Sequence, residues 1–178
     1  ETGVRFVRTD LVNRPTVEAV AEFRVDMQLR TRLAKGPAGV DMVEHVLAAL
    51  YGLKIDNVEI HCTACEMPGL DGSSLAYALA LDEAGITPLR SRRQTLRVER
   101  TMRLGEGPQW ISIEPTPGDS LDLEYRLDYG PGSPIGSATC ATKINEDAFY
   151  HRLAPARTFI TLREAEQWRA ADDDVVVD

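Results

Sequence analysis

Glu44 and His45 stand side by side in DMVEHVLAALYG, residues 41–52, a stretch whose other positions read largely as core. A carboxylate beside an imidazole in an apolar run suits a metal ligand next to a group that moves protons. Neighbouring side chains on a helix diverge by about 100°, so the two cannot comfortably share one ion. A metal ligand beside a group that either supports the ligand or moves protons is the more reasonable division. His45 is followed on its own face by Ala48, Ala49 and Gly52, all small, which lets a backbone, a ligand or an ion come close to the ring. The same two residues equally suit a histidine hydrogen-bonded at a domain seam and a first-turn glutamate favoured by the helix dipole. The pattern is not H-E-x-x-H, in which two histidines share one face.

A catalytic zinc usually takes three protein ligands and keeps one position for water. His61 falls on the outward side of an alternating strand, and His151, in FYHRL, has no thiol or carboxylate at ligand spacing. Cys62 and Cys65 form a C-x-x-C, which can be half a zinc site or a redox pair; no second C-x-x-C occurs and Cys140 is remote. In LDGSS, residues 70–74, Asp71, Ser73 or Ser74 can satisfy free N–H groups of a following helix. In ARTF, residues 156–159, Arg157, Thr158 and Phe159 offer a donor, a hydroxyl and a stacking ring ahead of another helix.

The elements that must position these groups follow from periodicity. VRFVR, 4–8, alternates as a strand, and mixed polar and apolar residues run from there to about 34, before turn residues at KGPAG, 35–39. Val43, Val46, Leu47 and Leu50 recur at helical spacing over 41–52, with Asp41 near the helix N-terminus and Gly52 at its end. NVEIHCT, 57–63, alternates as a half-buried strand, and 75–85 reads as a second helix stopped by Gly85. After a linker at 86–94 come strands at 95–103, 109–114, 121–127 and 138–144, a helical piece from Asn145, a helix over roughly 161–170, and a strand start at Val175–Val177. Strands followed by helices in each half predict an α+β protein with two domains of similar topology, 1–88 and 93–178, and segregated sheets.

The composition excludes some function classes. A formal net charge of −8, with no basic stripe beyond LRSRRQ at 89–94, argues against a nucleic-acid partner. No run of about 18 apolar residues is present, so no transmembrane segment is expected. The opening ETGVRFVRTD lacks the apolar core of a secretion signal, and three cysteines do not suggest a disulfide scaffold, which points to a reducing cytoplasm.

VEHVLAALYGLKIDNVEI, EMPGLDGSS and ARTFI, with GVRFVRTDL near the start and LDLEYRLDYG at 121–130, resemble in order and spacing the UDP-3-O-acyl-N-acetylglucosamine deacetylases, the zinc amidases of the committed step of lipid A synthesis. The resemblance implies two domains of like topology with helices packed between two β-sheets. It implies Zn2+ as cofactor with His45 as a ligand, and Glu44 as general base toward the attacking water. It implies Thr158 as the hydroxyl beside the scissile carbonyl, Phe159 as a ring lining the sugar pocket, and Asp71 in support. The substrate implied is an acylated UDP-sugar, and the protein is expected to act as a monomer. The family's second histidine and aspartate, in an H-K-x-x-D helix, and its later general-acid histidine have no counterpart in these residues. Activity is therefore expected of an intact protein, and this segment alone is expected to be inactive. Two other readings stay open: a shortened, non-catalytic relative that binds a nucleotide-sugar lipid or a protein partner, and a small metal- or redox-responsive module built on His61, Cys62 and Cys65.

Overall fold

The computed structural model describes residues 2–93 and 95–173, with side chains through residue 167. It is an α+β arrangement of several small sheets with interspersed helices. The predicted strand at Val175–Val177 lies outside the described residues.

Strand β1 (Val4–Arg8) is the middle of a three-stranded sheet. It runs antiparallel to β2 (Thr16–Glu18) and parallel to β6 (Val58–Cys62), with Phe6 opposite Val17 and Ile60. A second, antiparallel sheet joins β3 (Arg24–Val25), β4 (Arg32–Lys35) and β5 (Ala38–Asp41). The two-residue turn between β4 and β5 is Gly36-Pro37, with Lys35 opposite Ala38 and Gly36 at φ +55°. Glycine followed by the fixed negative φ of proline suits a type II′ hairpin. Half of this sheet lies in the stretch read from sequence only as mixed residues, and Lys35, Ala38 and Gly39 in the run read as a turn, because strands of two to four residues carry too few alternations to register.

Phe6, Val17 and Cys62 from the first sheet meet Leu33, Ala38 and Val40 from the second in one core, closed by Val43, Val46 and Leu50. The last two belong to helix α1 (Glu44–Gly52). Fully burying side chains of this size is worth about 1.5–3 kcal/mol each, which is what fixes α1 across the sheets. Of the two buried charges in this region, Arg8 is the fully paired one: its guanidinium donates to both carboxylate oxygens of Asp10, at 2.8 and 2.6 Å, and to the Gly39 carbonyl at 2.6 Å.

One expectation needs correction here, and another gains a physical reason. Asp41 does not flank the helix; it is the last residue of β5, buried, with Oδ1 3.3 Å from Arg32 Nη1. Gly52 closes α1 as expected, but the physical reason is packing. The Phe149 ring occupies the space a Cβ at residue 52 would take.

The adjoining flank of α1 makes a second core. Ala49 packs with Ala78 of helix α2 (Leu75–Ala84), Phe149 and Ala154. Residues 149–154 come from the second half, after a three-residue helix α3 (Glu146–Ala148) capped by Asn145 Oδ1 and continued as a π-helical turn through Leu153. The rest of that half consists of the hairpin β7 (Met102–Leu104) with β8 (Ile111–Ile113), the hairpin β9 (Asp122–Asp128) with β10 (Ser137–Lys143), and helix α4 (Leu162–Asp173). The strand predicted over 95–103 is realised only at 102–104, since its partner β8 is three residues long. Among the described residues no helix is long and apolar enough to cross a membrane.

Candidate active site

Glu44 is the first residue of α1, and both it and His45 are half-buried. The Thr31 backbone N–H donates to Glu44 Oε2 at 3.1 Å, and the Thr31 carbonyl accepts from the Val43 N–H at 3.5 Å. The segment entering β4 is thus tied to the start of the helix, and one carboxylate oxygen is held while the other stays unbonded among the described residues. The His45 ring makes no hydrogen bond among the described residues, unlike a histidine anchoring a seam. One turn along, Ala49 faces the second core beside α2 and residues 149–154, whereas Ala48 is exposed, so the small-residue side of α1 is covered only in part.

The loop at 71–74 and the segment at 154–158 are far apart in sequence and meet in space. Ser73 is fully buried, and its hydroxyl donates to Asp71 Oδ1 at 2.7 Å while accepting the Leu75 N–H at 3.2 Å. The serine hydroxyl therefore satisfies one free N–H at the start of α2, as the composition of the loop predicted, although the N-cap residue itself is Ser74. The Ser74 N–H and hydroxyl both donate to the Ala154 carbonyl, at 3.1 and 3.4 Å. The Thr158 N–H donates to the Gly72 carbonyl at 2.8 Å, and Arg157 Nε lies 3.3 Å from Asp71 Oδ2. The bonds from the Ser73 hydroxyl and N–H, with the nearby Arg157 charge, hold the Asp71 carboxyl below its ordinary range.

Thr158 and Phe159 are exposed, and the Thr158 hydroxyl is unbonded among the described residues. The Phe159 ring lies 6.2 Å from that of Tyr129, tilted by 56°. Tyr129 is a neighbour that the sequence did not single out: it sits near the end of LDLEYRLDYG, and nothing in its spacing ties it to a ring thirty positions on.

The remaining predicted chemistry does not assemble. His61 is exposed, with Nε2 3.4 Å from Glu59, and His151 is exposed, 3.7 Å from Asp147. Cys62 is buried against Met67, and burial pushes its thiol above the ordinary value, whereas Cys65 is exposed. The two thiols thus sit in different environments, and neither joins a group of metal-ligating side chains among the described residues. Among the described residues no three His, Cys, Asp or Glu side chains converge to hold a metal ion. These residues therefore do not by themselves fit a zinc centre.

Residues 1–173 match the family model for LpxC, UDP-3-O-acyl N-acetylglycosamine deacetylase. The UDP-3-O-acyl-N-acetylglucosamine deacetylase of Thermosynechococcus vestitus is 37% identical over 158 residues, covering 89% of this chain and 54% of the relative. That of Psychrobacter sp. strain PRwf-1 is 33% identical over 165 residues, covering 93% and 55%. The bifunctional enzyme LpxC/FabZ of Chlorobaculum tepidum is 35% identical over 165 residues, covering 93% and 35%. The chain spans little more than half the length of the single-function deacetylases it matches. With a family match over nearly all of its residues, the chain belongs to the UDP-3-O-acyl-N-acetylglucosamine deacetylase family.

Proposed function

We propose that the whole protein hydrolyses the N-acetyl group of UDP-3-O-acyl-N-acetylglucosamine, the committed step of lipid A synthesis, and that this chain carries its proton acceptor and one face of its substrate pocket. The observation that carries the reading is the pairing of a carboxylate held by the Thr31 N–H with an adjacent imidazole free of hydrogen bonds among the described residues. Water adds to the acetamide carbonyl, the C–N bond breaks, and acetate and a free amine result. Glu44 takes the proton of the attacking water through its unbonded oxygen. The Thr158 hydroxyl donates to the oxygen on which charge collects. Phe159, with Tyr129 beside it, offers an aromatic wall to the sugar, and Asp71 supports Thr158 through Arg157 and the loop it orders.

Zinc is the cofactor we infer from family membership, with His45 as one ligand. The described residues do not complete its site, so no step of the chemistry is assigned to the ion. We place residues 1–88 and 93–178 in two domains of related topology, and the whole protein in the cytoplasm as a monomer whose partner is the acylated UDP-sugar. In the whole protein, Glu44→Ala is expected to lose acetate release while keeping bound zinc, and His45→Ala to lose the metal. A Glu44→Ala protein with normal turnover would overturn the reading.

A further inference from the structure

We propose that Gly72 is a positioning residue for Thr158, and that the bare backbone at this point sets where the Thr158 hydroxyl stands. The inference rests on the reading of Thr158 as the hydroxyl beside the scissile carbonyl, and it adds a residue and a cause to that reading.

Three independent features converge on residue 72. Its φ is +81°, a conformation that costs side-chain-bearing residues energy and glycine almost none. Its carbonyl accepts the Thr158 N–H at 2.8 Å. A Cβ built on it would stand 3.3 Å from Thr158 Cγ2, 3.7 Å from the Thr158 carbonyl oxygen and 3.8 Å from its nitrogen. A side chain on residue 72 would therefore touch the Thr158 backbone and press on the Thr158 methyl by a few tenths of an ångström.

The loop also cannot easily retreat. Its next two residues are buried, Ser73 tied to Asp71 and Ser74 to the Ala154 carbonyl. On the other side, Arg157 is paired with Asp71. A methyl group added at 72 would have to be accommodated by Thr158 itself, through its own methyl, and the hydroxyl on the same Cβ would move with it. Small displacements of a reacting group can cost up to about 100-fold in rate.

The test is a double-mutant cycle in the whole protein, following acetate release from UDP-3-O-acyl-N-acetylglucosamine. Gly72→Ala is expected to lower kcat by about tenfold or more with KM little changed. In a Thr158→Ser background, where the methyl is gone and the hydroxyl kept, the same change is expected to cost at least threefold less, a coupling that residues in contact show. An unchanged kcat in Gly72→Ala, or an equal loss in both backgrounds, would overturn the role. Should Gly72→Ala fail to fold, amide exchange in the unmodified protein still decides. The Thr158 N–H is expected to be as protected as that of Ser74, and rapid exchange would overturn the proposal. A Thr158→Val protein at full kcat would overturn the reading of Thr158 and this role with it, whereas loss in Thr158→Val beside an unaffected Gly72→Ala overturns the role alone.

Discussion

The backbone N–H of Thr31 donates to Glu44 Oε2 at 3.1 Å across thirteen positions of sequence. A carboxylate held at one oxygen by a main-chain donor loses rotational freedom without needing a charged neighbour. Its other oxygen can then accept a proton at a fixed place. Replacing the acid by its amide keeps the shape and removes the basicity. Glu44→Gln in the whole protein is expected to cost roughly 100-fold or more in kcat, the usual worth of a general base. Acetate release measures it, and a loss under threefold would contradict the role.

Gly52 carries a second consequence. Because the Phe149 ring fills the space of a Cβ at residue 52, Gly52→Ala must push apart α1 and the 149–154 segment. Overpacking of this kind costs about 1–3 kcal/mol, which outweighs the modest gain in helix propensity from replacing glycine. Urea unfolding is expected to show a lower midpoint, and an unchanged or raised midpoint would show that the second core yields freely.

Asp71 gives a pH dependence with a definite sign. Its folded carboxyl is held below the ordinary range, first by the Ser73 hydroxyl. The stability it contributes is therefore present above the ordinary carboxyl range and lost as pH falls through the depressed folded value. The urea midpoints of the unmodified protein and Asp71→Asn are expected to differ most near neutrality and to converge in acid. A gap that stays constant with pH would mean the carboxylate charge is not what matters.

The thiols separate by environment. Cys62 is buried with its thiol pushed up by burial, and Cys65 and Cys140 are exposed. Reactivity follows thiolate character and access. A thiol reagent is expected to label Cys65 and Cys140 in the folded protein and Cys62 only after denaturation. Prompt labelling of Cys62 would place it elsewhere than in the core.

What could be read from the sequence depended on the length of the repeating pattern. Val58, Ile60 and Cys62 alternate over a full strand, and Val46 and Leu50 mark the core side of α1, so these elements stand where periodicity put them. The three strands from Arg24 to Asp41 are too short to alternate legibly, and Asp41 was misplaced for that reason. The bond from the Ser73 hydroxyl to the start of α2 was legible because it is local. The joints between Gly72 and Thr158, and between Ser74 and Ala154, were not, because each depends on tertiary packing that brings together residues about eighty positions apart.

In the proposed function His45 supplies a ligand to the zinc of a deacetylase whose proton acceptor is Glu44. Zinc content of the whole protein, measured beside its His45→Ala and Glu44→Ala variants, decides between the two roles. About one zinc per chain is expected in the unmodified protein and in Glu44→Ala, and far less in His45→Ala. Full zinc in a folded His45→Ala protein would contradict the account.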